Sequence, residues 1–422
     1  MIGIDICSIS RFKNMKNLER FLKKYFTNEE ITYIINTGNR EETIAGIFSL
    51  KEAFVKAIGT GFGNISPIDV EVIHSFSGKP DIIIHNDIYK KIGSISCSIS
   101  HDSDFAIAVV DVTFLSIKVD LQKVSDMKKL MLNRKDDGNK GDFGKVGIIG
   151  GSLGMCGSVD LCARSALRSG SGLVYNICPK SISNILQIKA IENIILPISD
   201  DGNGCFIYKY IDEIIEKIKH LDAIAIGCGL GRNEDNTKII KMIIKNFQGP
   251  IVIDADAIFF LRNIKSDILN RENIIITPHE VEFSRFSSYD LKVIKENRLE
   301  VVNKFFEKNL KYTLVLKGKN TIVKSDKKLY VNTTGNSGMA TAGSGDCLTG
   351  IILSLVGQGL DAFNSAKLGV FMHGLAGDFA KESLGEDSLV ASDIIMFLPN
   401  AIKYIREWYY VWKSIIDFCW FR

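Results

Sequence analysis

Short apolar runs, separated by segments long enough for a helix, dominate the chain from Val146 onwards. Each run is nearly all apolar, and glycine turns follow several of them. Such runs are typical of parallel strands that are buried on both faces of a sheet. The predicted strands are VGIIGG, GLVYNIC, AIAIGCG, PIVIDAD, NIIITP and YTLVLKG. We therefore predict an α/β fold with a mostly parallel sheet in this region.

The N-terminal region has a different pattern, in which short alternating strands accompany one or two helices. Helices are predicted over about residues 18–35 and 47–59, and this α+β pattern ends near residue 113. The predicted strands are IGIDI, DVEVI, DIIIH and FAIAVVDV. Two patterns in one chain of 422 residues indicate at least two domains, because one domain is usually shorter.

The boundaries of the predicted domains follow from changes in composition. Residues 118–145 are polar and charged, and all three tryptophans lie in the last fifteen residues. On a helix Trp408 and Trp412 would share a face, which favours docking on the core or on a partner subunit over contact with a membrane surface. The predicted segments are a first domain at 1–117, a linker at 118–139, a second domain at 140–404 and an aromatic tail at 405–422.

Composition and charge disfavour several classes of protein. The net charge is +3, from 52 basic and 49 acidic residues, so nothing indicates a nucleic-acid partner. No apolar stretch approaches the roughly eighteen residues that span a bilayer, and the N-terminus has the pattern of a strand and not of a secretion signal. The nine cysteines include no CxxC pair. We therefore expect a cytoplasmic protein with reduced thiols and no membrane span.

A glycine-rich segment, GNSGMATAGSGDCLTG at residues 335–350, leads into an apolar run that predicts a helix from Cys347 to Leu355. Glycines let the backbone approach a ligand, and a helix N-terminus attracts anions. The segment therefore predicts a phosphate-binding loop. Asp346 has the wrong charge to hold phosphate, so we expect it to handle a proton or a metal ion. The alternative is a turn in which Asp346 only caps the helix.

Four residues follow four different predicted strands of the second domain. They are Gly229, Asp254, His279 and Lys317. Because ligands of parallel α/β sheets bind at the carboxyl ends of the strands, we expect these residues to lie at one site.

Two acidic residues stand out in the first domain. Asp5 lies in the first predicted strand, and Glu52 lies in a predicted helix four residues before Lys56. Glu52 and Lys56 therefore share one helical face, opposite the apolar side chains. A strand acid and a helix acid can together bind a divalent cation that holds a pyrophosphate. The alternative is a surface ion pair.

Three segments of the first domain, GIDI, KEAFVKAIGTG and SISH, resemble holo-acyl-carrier-protein synthase over about residues 1–115. The resemblance implies an α+β 4'-phosphopantetheinyl transferase domain, which commonly forms a trimer with active sites between subunits. Such enzymes transfer 4'-phosphopantetheine from coenzyme A (CoA) to a serine of acyl carrier protein, for fatty acid biosynthesis. Asp5 and Glu52 would bind Mg2+, and Glu52 would belong to the catalytic centre. Lys56 would neutralise phosphate charge, and His101 would lie close to the coenzyme.

A run of basic residues in the first domain gains a possible role from this resemblance. It could dock an acidic helix of the carrier protein, or it could be a solvated charged face. The run comprises Arg11, Lys13, Lys16, Arg20, Lys23 and Lys24.

Six segments of the second domain together resemble the ADP- or ATP-dependent NAD(P)H-hydrate dehydratase family, a branch of the ribokinase-like fold. They are KGDFGKVGIIGGS, AIGCGLG, DADAI, TPHEVEF, KGKNTIV and the glycine-rich segment, within about residues 140–402. The resemblance implies that the S-epimer of NAD(P)H hydrate is dehydrated to NAD(P)H at the expense of ADP or ATP. Phosphorylation makes the ring hydroxyl a good leaving group, and loss of phosphate restores the double bond.

The same resemblance implies roles for single residues. Asp346 would be the general base that deprotonates the hydroxyl of the hydrate. Ala163, Gly229 and His279 would contact the hydrate, although His279 could instead cap the next helix. The nucleotide, accompanied by Mg2+, would be held by Lys317, Gly318, Lys319, Asn320, Thr321 and Gly345.

Four further residues qualify this resemblance. Ser337 and Ala342 stand where the family often has proline and glycine, and both are small enough to keep the shape of the loop. Asp254 and Asp256 are expected to have structural or supporting roles.

Other functions stay open on the residues alone. The segment GIIGGSLG could belong to a dinucleotide-binding oxidoreductase, but no acidic residue ends the next strand. A ribokinase-like kinase of a vitamin precursor would use the same loop aspartate. A module that only tethers is disfavoured by the intact Asp5, Glu52 and Asp346. We therefore expect a bifunctional transferase and lyase that forms a homo-oligomer, either trimeric through its first domain or larger and even-numbered through its second.

Overall fold

The computed structural model describes residues 1–13, 15–38, 40–63, 65–75, 78–86, 92–114, 119–134, 136–264 and 266–419. The chain forms two compact units, Val119–Trp408 and Met1–Lys118 with Tyr409–Arg422. The predicted domain end at residue 117, position 118 of the predicted linker and Trp420 of the tail lie outside the described residues.

The first unit has the predicted α+β architecture. Its elements are β1 (Ile2–Ser8), α1 (Ser10–Lys13), α2 (Leu18–Tyr25), α3 (Asn28–Asn36), α4 (Arg40–Ala57), β2 (Val70–His74), β3 (Pro80–Ile84), β4 (Ile92–Asp102) and β5 (Phe105–Phe114). An antiparallel sheet has the order β1-β5-β4, and β2 pairs with β3 as a separate hairpin. All four predicted strands are confirmed, and β4, which was not predicted as a full strand, contains the SISH segment.

The predicted helix over residues 18–35 is divided into α2 and α3 at Thr27. The Thr27 hydroxyl accepts a hydrogen bond from the Glu30 backbone N–H, and the Glu30 carboxylate accepts one from the Thr27 N–H. This reciprocal arrangement satisfies N–H groups that a new helix would otherwise leave free. It also fixes the Glu30 side chain, which forms a fully buried ion pair with Lys51 of α4 at 2.6 Å.

Strand β1 packs against α4 through its inward face. Gly3, Asp5 and Cys7 alternate with exposed isoleucines, so these three residues lie on the face that packs against the helix. On the helix the apolar face is buried, as predicted, while Lys56 is exposed. The strand therefore carries Asp5 to the same surface as the polar face of α4.

The second unit contains a mostly parallel sheet with helices on both faces. Its strands are β6 (Lys145–Ile149), β7 (Leu173–Pro179), β8 (Ile194–Ile198), β9 (Ala223–Ile226), β10 (Ile251–Ile253), β11 (Ile274–Ile276), β12 (Thr313–Leu316), β13 (Ile322–Ser325) and β14 (Lys328–Val331). The sheet order is β14-β13-β12-β11-β10-β9-β6-β7-β8. The six predicted strands, β6, β7 and β9 to β12, are confirmed and pair in parallel.

The remaining strands had weaker sequence signals. Strand β8 adds a parallel edge next to β7, and β13 and β14 form an antiparallel hairpin beside β12. Each strand of the hairpin contains a lysine and at most three apolar residues, which is why a search for continuous apolar runs passes over it.

The helices of this unit cover the sheet. They are α5 (Leu121–Lys128), α6 (Cys156–Arg168), α7 (Lys180–Lys189), α8 (Ile211–Ile218), α9 (Asn236–Asn246), α10 (Asp256–Leu261), α11 (Ser266–Leu269), α12 (Glu280–Ser287), α13 (Leu291–Glu296), α14 (Arg298–Phe306), α15 (Ser344–Gly357), α16 (Ala362–Leu384) and α17 (Ala391–Cys419). The helix predicted from Cys347 is confirmed as α15, which begins three residues earlier. No helix among the described residues is long and apolar enough to cross a membrane.

The segment predicted as a linker contains a packed helix. Val124 and Met127 of α5 are almost fully buried. The Lys128 ammonium donates a hydrogen bond of 2.7 Å to the carbonyl oxygen of Arg406 on α17. Helix α5 therefore belongs to the second unit. Trp408 and Trp412 of the predicted tail lie on α17, which agrees with the expected helical conformation of that segment.

Candidate active sites

The carboxyl ends of four neighbouring strands meet at one edge of the large sheet. Gly229, Asp254, His279 and Lys317 follow β9, β10, β11 and β12, which are adjacent and parallel. The structure therefore brings these residues to the same edge, as their sequence positions predicted. Helix α15, with Asp346 in its first turn, begins at this edge.

The centre of this edge is an ion pair between β10 and β12. The Lys317 ammonium donates a hydrogen bond of 2.6 Å to Asp254 Oδ1, and the Thr349 hydroxyl donates one of 2.7 Å to Asp254 Oδ2. Burial acts to raise the pKa of Asp254, which is 1% exposed, but Lys317 and the hydrogen bonds outweigh it and the pKa is lowered. For Lys317 burial acts to lower the pKa, and Asp254 and Glu282 raise it above its ordinary value. Both groups are therefore charged at neutral pH.

The N-terminus of α15 lies against this ion pair. A Cβ atom on Gly345 would be 3.2 Å from the Lys317 nitrogen. The backbone N–H groups of the first helical turn have no intrahelical acceptor, and the helix dipole adds positive potential there. The lysine and the helix terminus together form a site suited to an anion, which supports the predicted phosphate-binding loop.

Asp346 lies at the same place and is an unusually basic carboxylate. Burial, reinforced by the charge of Asp254, raises the pKa of Asp346 to about 6. Hydrogen bonds from the side chains of Cys228 and Ser158 oppose this rise by stabilising the ionised form. At neutral pH Asp346 is therefore ionised yet a stronger base than an exposed aspartate, which suits the abstraction of a proton.

Asp346 and two of its neighbours form a group of three potential metal ligands. The Cys228 sulfur and carboxylate oxygens of Asp254 and Asp346 lie within 4.8 Å of one another. Both oxygens of Asp254 are already engaged by Lys317 and Thr349. Magnesium also prefers oxygen ligands to sulfur. This group therefore does not fit a magnesium ion held by the protein alone, and we expect magnesium to arrive with a nucleotide.

His279 caps helix α12. The ring Nδ1 of His279 accepts hydrogen bonds of 3.2 Å from the backbone N–H groups of Val281 and Glu282. The backbone N–H of His279 donates a hydrogen bond of 2.8 Å to the Glu282 carboxylate. Burial and the nearby Lys317 lower the pKa of His279, so the ring is neutral at pH 7 with its proton on Nε2. His279 therefore caps the helix, which is the alternative role considered for it. Its ring is half exposed, and its contact with a substrate stays a prediction.

Glu282 links this cap to the central ion pair. Its carboxylate lies 3.9 Å from the Lys317 nitrogen. Burial raises the pKa of Glu282 to about 7 against the opposing effect of Lys317. Sequence reasoning quoted this residue in TPHEVEF without giving it a role, because only the folded chain brings it to Lys317.

The predicted nucleotide-binding residues Lys317 to Thr321 form one tight turn after β12. Gly318 and Asn320 have positive φ angles of 135° and 55°, and the Thr321 hydroxyl donates a hydrogen bond of 2.9 Å to the Gly318 carbonyl. The Arg298 guanidinium donates hydrogen bonds to the carbonyl groups of this turn, at Leu316, Lys317 and Lys319. The turn is therefore held in place from α14, while the contacts of Gly318, Lys319, Asn320 and Thr321 to a nucleotide stay predictions.

Of the residues predicted to contact the hydrate, Gly229 follows β9 and packs against the start of α6, and Ala163 lies in the middle of α6. Gly229 has a φ of 61°, and a Cβ atom there would be 2.6 Å from the Met155 carbonyl oxygen, so its loop packs directly on this helix. Ala163 is fully buried in the core of α6. A direct contact between the Ala163 side chain and a substrate would require that side chain to be uncovered, so its role stays a prediction.

The glycine-rich loop is anchored to α16 by residues that sequence reasoning missed. Asp378 accepts hydrogen bonds of 2.9 Å from the Gly335 N–H and 3.0 Å from the Asn336 amide. His373 lies 3.0 Å from the Ser344 carbonyl, and burial lowers its pKa to about 4, so its neutral ring donates this bond. No local motif marks either residue, since α16 meets the loop only through the fold.

In the first unit, Lys56 of α4 contacts Asp5 of β1, and Glu52 lies one turn before Lys56 on the same helical face, as its spacing predicted. The Lys56 ammonium donates a hydrogen bond of 2.7 Å to Asp5 Oδ1. Burial raises the pKa of Glu52, and the charge of Asp5 raises it further, which places the two carboxylates close to each other. Two adjacent carboxylates that repel each other fit a divalent cation with oxygen ligands, so Asp5 and Glu52 would hold Mg2+.

His101 lies apart from these acids within one chain. His101 lies on β4 and pairs with Ala106 of β5, which in turn pairs with Cys7 of β1. Two strand spacings therefore separate His101 from β1, a distance of about 10 Å. Its ring packs on Gly46, and its Nδ1 is 3.6 Å from the Glu42 carboxylate. The structure does not bring His101 to Asp5 and Glu52, and its predicted place beside the coenzyme stays a prediction.

The outer face of the β1-β5-β4 sheet is an exposed apolar surface. The pairing places Ile4 opposite Val109 and Ile6 opposite Ile107, which gives a continuous patch. Its members are Ile2, Ile4, Ile6, Phe105, Ile107 and Val109, each between 38% and 69% exposed. Contiguous apolar surfaces of this kind mark interaction sites in proteins.

Comparison with known proteins shows which families the two parts of the chain match. Residues 146–400 match the family described as NAD(P)H-hydrate dehydratase, and residues 1–110 match the 4'-phosphopantetheinyl transferase superfamily. The chain is 36% identical over 277 residues to the bifunctional NAD(P)H-hydrate repair enzyme Nnr of Moorella thermoacetica, which covers 65% of this chain and 52% of that protein. The chain thus spans about half the length of the bifunctional relatives it matches.

Two further similarities concern the second unit alone. The chain is 35% identical over 260 residues to the ADP-dependent (S)-NAD(P)H-hydrate dehydratase of Neisseria meningitidis, covering 60% of this chain and 82% of that protein. A crystal structure of a ribokinase-like superfamily protein from Enterococcus faecalis is similar with a TM-score of 0.59 and 25% identity, covering 68% of this chain and 96% of that chain. The ribokinase-like fold expected for the second domain is therefore confirmed.

Proposed function

Because the chain belongs to the NAD(P)H-hydrate dehydratase family and joins to it a domain of the 4'-phosphopantetheinyl transferase superfamily, we propose that it is a bifunctional enzyme. Its second domain, residues 140–404, dehydrates the S-epimer of NAD(P)H hydrate with ADP or ATP. Its first domain, residues 1–117, transfers 4'-phosphopantetheine from CoA to a serine of acyl carrier protein. The free cysteines agree with a reducing, cytoplasmic environment.

The dehydratase proposal rests on one observation: the basic carboxylate of Asp346 lies next to the anion site formed by Lys317 and the N-terminus of α15. Asp346 lies one residue after Gly345, which borders the Lys317 ammonium at the N-terminus of α15. Asp346 removes the proton from the ring hydroxyl while the hydroxyl oxygen attacks the terminal phosphorus of the nucleotide, and the nucleotide leaves with one phosphate fewer. The bond between the ring carbon and the phosphate oxygen then breaks, phosphate leaves, and loss of a proton from the adjacent ring carbon restores the double bond.

The transferase proposal rests on the Asp5, Glu52 and Lys56 cluster. A Mg2+ ion bound by the two carboxylates would neutralise the pyrophosphate of CoA. Lys56, which is half exposed, can reach the same pyrophosphate and orient it. The serine hydroxyl of the carrier protein attacks the phosphorus that bears pantetheine, and 3',5'-ADP departs.

The carrier protein is proposed to bind on α2 of the first unit. Arg20, Lys23 and Lys24 of α2 are all exposed, which suits an acidic partner surface. We also propose that the exposed apolar sheet face pairs with other copies of this chain in a homo-oligomer. Such an assembly is one way in which His101 of one subunit could approach the acids of another.

A coupled pair of assays tests the two activities. Purified protein given NADH hydrate, ADP and Mg2+ should regenerate the absorbance of reduced nicotinamide with release of phosphate. A stable phosphorylated product without that absorbance would favour the kinase alternative. Apo carrier protein incubated with CoA should gain the mass of 4'-phosphopantetheine, and failure to gain it would refute the transferase proposal.

A further inference from the structure

Asp254 is too deeply buried to touch a substrate, yet it is charged. It is 1% exposed, and each of its carboxylate oxygens accepts a short hydrogen bond, one from Lys317 and one from Thr349. An isolated buried carboxylate would be costly, so its partners must repay that cost. Asp254 therefore acts through the groups that it binds.

Lys317 is the group that Asp254 holds. An ammonium has three hydrogen-bond donors, and among the described residues only the Asp254 carboxylate lies within hydrogen-bond distance of it. The Lys317 backbone is also fixed, since its N–H donates a hydrogen bond of 2.8 Å to the Pro278 carbonyl. The side chain is 17% exposed, and its nitrogen borders Gly345 at the N-terminus of α15.

Thr349 couples this lysine to the helix that forms the anion site. Gly345 and Thr349 are four residues apart on α15 and therefore lie on one face of it. The first borders the Lys317 nitrogen, and the hydroxyl of the second fixes the carboxylate that binds the same nitrogen. A lysine side chain has a large conformational entropy, so two fixed anchors reduce the cost of holding its ammonium in one place.

We propose that Lys317 binds the phosphoryl group that is transferred from the nucleotide, and that Asp254 and Thr349 are positioning residues that aim its ammonium. This inference rests on the proposed dehydratase function. With ADP, the bond between the hydrate oxygen and the β-phosphorus forms while the bond to the bridging oxygen breaks, and AMP leaves with that oxygen. The proton of the hydroxyl goes to Asp346. Negative charge on the outer oxygens of the transferred group is stabilised by Lys317 and by the first N–H groups of α15.

The opposite interpretation is that Lys317 only neutralises Asp254 inside the protein. In that case loss of the Thr349 hydroxyl would lower the melting temperature without a selective effect on the β-phosphoryl group. The two interpretations therefore differ in what a small change at Thr349 does to nucleotide binding and turnover.

The test compares Thr349→Val with Thr349→Ser, which keeps the hydroxyl. Thr313→Val is a matched control, because Thr313 is equally buried in the same unit and its hydroxyl has no hydrogen-bond partner among the described residues. We expect Thr349→Val to lower kcat of hydrate dehydration about tenfold, the effect of a lost hydrogen bond to a charged group. Thr349→Ser should recover most of this loss, and Thr313→Val should have the kcat of the wild type.

Binding by calorimetry separates this inference from the proposed function. ADP carries the β-phosphoryl group and AMP does not, so Lys317→Met and Thr349→Val should weaken ADP binding while AMP binding stays the same. An equal loss for both nucleotides, or a Thr349→Ser variant as impaired as Thr349→Val, would overturn the role assigned to Lys317. A wild-type protein that binds ADP in this way but does not dehydrate the hydrate would refute the proposed function and keep the phosphoryl site. Unchanged AMP binding by each variant also reports that its second unit is folded.

Discussion

A Cβ atom on Gly3 would lie 2.0 Å from the carbonyl oxygen of Ala53. Strand β1 and helix α4 are therefore in direct backbone contact, and no side chain fits between them. This close approach is what brings Asp5 of the strand to Glu52 and Lys56 of the helix.

We expect Gly3→Ala to separate β1 from α4 and to abolish 4'-phosphopantetheine transfer. Overpacking of this kind costs about 1–3 kcal/mol of stability, measurable by urea unfolding of the first unit. Dehydratase activity should persist, because its site is in the other unit. Gly38→Ala is the matched control, since a Cβ atom on Gly38 would meet nothing within 4 Å. A Gly3→Ala protein with full transferase activity would contradict the assignment of the site to this junction.

The buried ion pair between Glu30 and Lys51 predicts that losing one partner costs more stability than losing both charges. Lys51 also donates hydrogen bonds to the carbonyl groups of Tyr25 and Pro67, so Lys51→Met leaves several buried acceptors and one charge without a partner. We expect a loss of about 3–5 kcal/mol in the stability of the first unit. The double variant with Glu30→Gln should recover part of this loss. Equal stability of the single and double variants in urea unfolding would show that the charge of Glu30 is not the cause.

The basicity of Asp346 predicts a pH profile for the dehydratase. Its pKa is raised to about 6, and the ionised form is the base in the reaction that we propose. Turnover should therefore fall as the pH is lowered through about 6 and reach a plateau above it. Asp346→Asn should abolish dehydration and leave transferase activity intact in the same preparation. A profile that stays flat from pH 7 to pH 5 would exclude Asp346 as the titrating base.

The neighbours of Asp346 should move that profile. Hydrogen bonds from Cys228 and Ser158 lower its pKa against the effect of burial. Cys228→Ala and Ser158→Ala should each raise the pKa and move the acidic limb of the kcat profile to higher pH. Measurement of the two profiles beside that of the wild type decides the point, since a purely structural effect would lower kcat at every pH without moving the limb.

The exposed apolar face of the β1-β5-β4 sheet predicts that copies of the chain associate through it. Ile4→Lys or Ile107→Lys places a charge in the middle of the apolar patch and should dissociate the assembly in light-scattering measurements. Ile83→Lys serves as the comparison, because Ile83 is 42% exposed on the separate β2-β3 hairpin. Transferase activity should fall with dissociation if residues of two subunits complete the site. Unchanged mass for Ile4→Lys and Ile107→Lys would refute this interface.

The sequence predicted which residues lie at the carboxyl ends of the strands far better than it predicted the contacts of their side chains. Apolar runs identified the central strands, and their parallel order placed Asp254 beside Lys317, since buried parallel strands leave a strong local signal. The roles of Thr349 and Cys228 could not be predicted, because both residues also fit an apolar core and only their contacts with acids separate them from it. In the first unit, the spacing of Glu52 and Lys56 predicted a shared face. The distance of His101 from them depends on the strand order, which spacing does not give.

Helix α15 places Gly345, Asp346 and Thr349 in a fixed angular register. Since each residue of a helix advances about 100° around its axis, a single insertion between Asp346 and Thr349 would turn the Thr349 hydroxyl away from Asp254 while leaving Asp346 in place. Length changes in this turn should therefore be harder to tolerate than most changes of residue type. Chains that keep a Gly-Asp-x-x-Thr spacing, together with an aspartate and a lysine after two strands that flank a third, can be recognised as users of the same arrangement even where the rest of the loop has diverged.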